Sequence, residues 1–108
     1  DPVKKLKAQV DAAQMYFDSG NPAKAVEGFQ AVLATNPDNL EATLGAGLAL
    51  FGTGDKNKYQ EAANYLQRFV DKAPDTHPLK ASAKESLEYL KQQNVQPQRT
   101  TGGSRRRG

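Results

Sequence analysis

At 108 residues, 37% of them hydrophobic and with a mean hydropathy of −0.76, the chain has room for one domain with a modest core. It contains no cysteine, which excludes disulfides and thiolate metal sites, and no apolar run approaching the roughly 18 residues that a membrane-spanning helix needs. The net charge of +3 is unevenly placed: residues 1–94 hold ten lysines and Arg68 against all twelve acids, so the excess comes from Arg99, Arg105, Arg106 and Arg107.

Residues 3–18 carry the first helical pattern. Asp1 is placed to cap it, and Pro2 occupies the first helical position, where a missing N–H costs nothing. Two apolar stripes run along this helix, one through Leu6, Ala12, Ala13 and Tyr16 and one through Val3, Val10 and Phe17. Gly20 closes it, because glycine tolerates the left-handed conformation that ends a last turn. Asn21 and Pro22 repeat the same kind of start for a second helix, with a buried face expected at Ala25, Val26, Phe29, Val32 and Leu33. Ala25 is small where two paired helices cross, and Phe29 fills the space beside it.

Asn36 precedes Pro37 and is therefore pushed out of helical backbone, which stops the second helix. Asp38 followed by Glu41 predicts a capping box for a third helix running to about Phe51. Gly45 and Gly47 within it each cost about 1 kcal/mol against alanine, which close approach of a neighbouring helix backbone would offset. Residues 52–57 form a long turn, and a fourth helix over about 58–72 should bury Ala62, Ala63, Leu66, Phe69 and Val70. A fifth, over about 78–92, is apolar at Leu79, Ala83, Leu87 and Leu90 and charged elsewhere, as a helix closing a stack requires. From Asn94 the composition predicts a flexible basic tail, 94–108, after a folded unit of 1–93.

Two spacings tie these elements together. Leu6 recurs as Leu40 and Gly20 as Gly54, each 34 residues on, while Pro37 recurs as Pro74 after 37, so the second copy holds about three extra residues between Gly54 and Ala62. A 34-residue period of helix, glycine turn, helix and proline stop resembles the tetratricopeptide repeat. The family's preferred residue types fall on Ala12, Ala13, Tyr16, Ala25, Phe29 and Pro37 in a first copy, 6–39. Gln9 departs from the pattern in that copy, and a second copy, 40–76, is weaker: the small residues Ala46, Gly47 and Ala62 and the proline Pro74 survive, while Thr43, Leu50, Leu66 and Phe69 occupy the other places. The fifth helix looks like the family's solvating helix.

The resemblance implies an all-α stack of two antiparallel helix pairs plus a closing helix, non-catalytic, binding a peptide or helix of another protein in a concave groove. In this sequence the groove positions are Lys7, Val10, Gln14 and Phe17, then Glu41, Leu44, Leu48 and Phe51. Members that hold a C-terminal carboxylate use a clamp of lysine, asparagine and arginine. Here Val10 stands at the lysine position and Gln14 and Gly45 replace two asparagines, which argues against a chaperone-tail receptor.

Chemistry for catalysis is not legible. His77 is the one histidine, in a proline-flanked turn, and a structural role outweighs acid–base work there. No HExxH, GxxxxGK[ST] or GxGxxG occurs, and neither cofactor nor metal is implied. Two alternatives stand beside the groove. Self-association through Val10, Phe17, Leu44 and Leu48 would bury the apolar stripe in a homo-oligomer. Arg105, Arg106 and Arg107 could meet phosphates of nucleic acid or an anionic membrane, but no aromatic residue interleaves them and the rest of the chain carries no basic excess. That distribution argues against nucleic acid as the main partner. The composition is compatible with a cytoplasmic or a periplasmic compartment.

Overall fold

The structure, a computed structural model, describes residues 1–98; the arginine cluster Arg105–Arg107 lies outside the described residues. Five helices follow in order: α1 Pro2–Asp18, α2 Pro22–Thr35, α3 Leu40–Gly52, α4 Tyr59–Lys72 and α5 Lys80–Gln92. Each packs on its neighbours in sequence, most extensively where α3 meets α4 and least where α4 meets α5, and α1 also touches α3. Short connections make consecutive helices antiparallel, giving the all-α repeat stack that the period implies.

The ends are set by the side chains the sequence offers. Asp1 accepts a hydrogen bond from the Val3 N–H at 2.9 Å, and Asn21 accepts one from Lys24 at 3.4 Å, each ahead of a first-turn proline. Gly20, at φ +85°, closes α1 with the Asn21 N–H donating to Tyr16 O and its own N–H donating to Phe17 O, the paired bonds of a Schellman motif.

At α3 the expected capping box is out of register by one residue. Asn39, not Asp38, caps the helix, its Oδ1 accepting the Ala42 N–H at 2.8 Å. This register buries Thr43, whose hydroxyl donates to Asn39 O at 2.8 Å. Asp38 is instead turned toward the end of α4, where it pairs with Lys72 at 2.8 Å. The turn before α4 winds into a short 3-10 segment, Lys56–Lys58, capped by Asp55.

Helix α3 is the centre of the core. Ala42, Ala46, Ala49 and Leu50 are all buried, because α2 and α4 flank it on both sides. The residues 34 positions earlier than the three alanines, Ala8, Ala12 and Met15, are exposed, Met15 by 70%, since α1 packs on α2 and only lightly on α3. The same difference leaves Tyr16 43% exposed, with the Lys24 ammonium 5.6 Å from its ring centroid. Phe29, Val32, Leu66 and Phe69 are the large side chains that fill the space around α3 from its two neighbours.

The glycines of α3 are explained by side chains, and not by the backbone approach expected. A Cβ on Gly45 would meet the tip of the Phe29 ring, and one on Gly47 would press on Leu66. Helices α1 and α2 come close at Gly28, where a Cβ would stand 2.8 Å from that of Ala13.

Helix α5 begins two residues later than expected, at Lys80. His77 Nδ1 accepts the Leu79 N–H at 3.1 Å, and the His77 ring meets Phe69 edge-on at 5.0 Å. This turn takes Leu79 out of the buried stripe and leaves it 48% exposed, while Ala83, Leu87 and Leu90 are buried as expected.

The chain does not lose its contacts at Asn94. Asn94 takes a left-handed φ of 65°, and Val95 N–H donates to Leu90 O while Asn94 N–H donates to Lys91 O, a second Schellman motif with asparagine in the glycine role. Val95 packs against the core. Beyond it, Gln60 Nε2 donates to Gln96 O at 2.7 Å, and Gln98 N–H donates to Asn64 Oδ1 at 2.7 Å. The 95–98 segment thus lies along α4, although its composition placed it with the tail.

Candidate functional site

Where α1, α3 and the turn before α5 meet, they leave a cleft of about 220 Å³. One wall is α1, with Val10, Asp11 and Gln14; the other is α3, with Glu41, Leu44 and Leu48. His77 and Leu79 close the end nearest α5. A second hollow of about 210 Å³ adjoins it toward the start of α1, lined by Val3, Leu6, Lys7 and Asn39. Val10, Asp11 and Glu41 line both hollows, so together these form one trough.

Its floor is apolar and its rim polar. Val10 and Leu44 are buried, whereas Leu48 is half-buried and Leu79 open to solvent. On the rim Lys7 pairs with Asp11 at 3.1 Å, both side chains well exposed, and Gln14 Nε2 donates to Asp18 Oδ1 at 2.9 Å. An exposed pair of that kind contributes about 0.2–1 kcal/mol. Glu41 makes no side-chain hydrogen bond or ion pair with any described residue. It stands in the first turn of α3, where the helix dipole favours a negative charge.

Of the eight expected groove residues, Val10, Gln14, Glu41, Leu44 and Leu48 surround the main cleft and Lys7 the adjoining hollow. The structure does not bring Phe17 or Phe51 to either. Phe17 packs on Gly52, where a Cβ would come within 3.1 Å of its ring. Phe51 is flanked by Tyr59 at 5.5 Å and Tyr89 at 5.6 Å between ring centroids, an aromatic group that ties α3 to α4 and α5. Asp11, His77 and Leu79 were not among the expected residues. Asp11 follows Lys7 by four positions, a spacing that puts the two side by side on a helix; Leu79 lies in an irregular turn and carries no periodic signal.

Two carboxyls outside the trough have lowered pKa values. Hydrogen bonding from Lys72 holds Asp38 below the ordinary aspartate range, and hydrogen bonding from Lys80 does the same for Asp75, the lysine charge adding to it in each case. Among the described residues, no group of histidine and acidic side chains is arranged to hold a metal ion, and no helix is long and apolar enough to cross a membrane.

The size of the cleft bears on what it can hold. At about 220 Å³ it is smaller than the roughly 300–1,000 Å³ common for small-molecule and cofactor sites. It suits a side chain or two projecting from a longer ligand. A family model described as tetratricopeptide repeat matches residues 10–75, which include the second half of α1, all of α2, α3 and α4, and most of the trough. No curated protein and no solved structure gave a significant match.

Proposed function

Since the chain belongs to the tetratricopeptide-repeat family, whose repeats generally mediate protein–protein interaction, we propose that it is a non-catalytic scaffold holding a segment of another protein in the trough between α1 and α3. The observation that carries this reading is an apolar floor that the protein's own packing leaves open, with Leu48 half-buried and Leu79 48% exposed at the mouth of a preformed cleft. Apolar surface arranged as a concavity gains by receiving a side chain from a partner, at about 25 cal/mol per Å² removed from water.

Selection of a displayed random-peptide library against the protein tests the reading. Enriched peptides should lose at least tenfold in affinity for Leu79→Asp and keep it for Ala31→Glu, an exposed position on α2. Peptides that bind both variants as they bind the parent would place recognition elsewhere and reject the trough.

A further inference from the structure

We propose that the segment received by this trough is one in which a leucine-sized apolar side chain lies within a few residues of a lysine or arginine. The inference rests on the scaffold reading above and adds the partner's chemistry. Four observations support it. First, the residues lining the main cleft include two acids, Asp11 and Glu41, one on each wall, and no lysine or arginine. Second, the cation nearest in the adjoining hollow, Lys7, is already engaged by Asp11 at 3.1 Å, while Glu41 has no cationic partner among the described residues. Third, residues 1–94 balance to a single negative charge, so what distinguishes the trough is the placement of one uncompensated acid, Glu41, at its rim and not a generally acidic surface.

The fourth is the floor itself. Val10, Leu44, Leu48 and Leu79 offer nothing to a peptide that is only charged. The chain's own arginine cluster has glycine, serine and threonine around it and no apolar residue to anchor, so a second copy's tail supplies half of the chemistry and not the other half. An acidic partner segment would set its carboxylates against Glu41, which has no cationic partner among the described residues, and like charges brought together across an interface oppose binding.

The test uses two amphipathic peptides of equal length and identical leucines, one carrying lysines and one glutamates at the remaining positions. Each is titrated into the isotopically labelled full chain, followed by amide chemical shifts at 50 and 500 mM salt. The leucine–lysine peptide should shift Val10, Glu41, Leu44, Leu48 and Leu79, bind at least fivefold more tightly than the leucine–glutamate peptide at low salt, and lose most of that margin at high salt. Glu41→Gln, an exposed change whose helicity is checked by circular dichroism, should reduce the preference to about twofold or less.

Equal binding of both peptides in the trough would refute the charge preference and leave the scaffold reading in place. If neither peptide shifts any of these amides, the charge preference and the trough as the binding site both fall. Concentration-dependent shifts of the same amides without peptide would mean that a second copy occupies the trough, and would overturn the proposal in favour of self-association.

Discussion

Gly45→Ala puts the packing of α3 to a direct test. A Cβ built on Gly45 lies 2.4 Å from Phe29 Cζ and 2.5 and 2.6 Å from its two Cε atoms, where carbon pairs prefer about 3.5–4.0 Å. Phe29 is 1% exposed and enclosed by the core, so its ring has no free space into which to retreat. Overpacking of this kind costs about 1–3 kcal/mol, and contact with three ring atoms at once puts it in the upper part of that range. Against it stands about 1 kcal/mol gained by replacing a glycine within a helix. The net expectation is a loss of about 1–2 kcal/mol. At about 4–8 °C per kcal/mol for a domain near 100 residues, Tm should fall by roughly 5–15 °C, measured by circular dichroism at 222 nm alongside a urea titration. The decisive comparison is the same change made in a Phe29→Leu background. With the ring gone, only the helical gain remains, so Gly45→Ala should there stabilise by up to about 1 kcal/mol. A penalty of the same size in both backgrounds, or no penalty in the parent, would refute the ring contact as the reason for this glycine.

Other outcomes follow from the same contacts. Phe29→Ala should cost about 3–5 kcal/mol in urea unfolding, and a loss under about 1 would remove Phe29 from the centre of the core. Asn39→Ala should cost about 1 kcal/mol as a lost helix cap, while Asp38→Ala should cost clearly less; the opposite ranking would restore Asp38 as the cap. At Asn94, glycine should leave Tm unchanged or raise it and valine should lower it, because a β-branched residue resists φ +65°; equal melting of the two would mean that the left-handed turn is not populated. Asp38 and Asp75 have folded pKa values below those of the unfolded chain, so their contribution is fully present above about pH 4 and is lost as pH falls through the folded values. Melts from pH 6 to pH 2 should therefore show a shallower acid decline for Asp38→Asn/Asp75→Asn than for the parent, and parallel curves would count against both pairs.

Much of the fold was legible because its boundaries are chemical. Asp1-Pro2, Asn21-Pro22, Gly20 and Asn36-Pro37 mark helix ends whatever packs beside them, and the structure places breaks at each. Register was harder where two capping residues stand together. Asp38 and Asn39 can each accept from an N–H, and burial of Thr43, a tertiary effect, goes with the choice of Asn39. Periodicity flagged Gly45 and Gly47 as costly but could not say that a ring and a leucine occupy the space. For the trough, the residues on straight helical faces were foreseen, and those in the His77–Leu79 turn were not. Phe51 was assigned by repeat symmetry, yet Tyr59 and Tyr89 hold its ring, and both come from segments outside the period's regular spacing. Residues 95–98 left no signature because backbone groups of Gln96 and Gln98, bound by Gln60 and Asn64, make the contacts.

That last segment gives the stack two unlike ends. At one end, residues 95–98 lie along α4, held there by Gln60 and Asn64. At the opposite end, Ala8, Ala12 and Met15 lie bare where their counterparts on α3 are covered. Growth of a filament needs two complementary surfaces that repeat head to tail, and the two ends of the described stack differ in how their helices are covered. A contact that used the same bare flank on both copies would be isologous, and a contact of that kind closes at two.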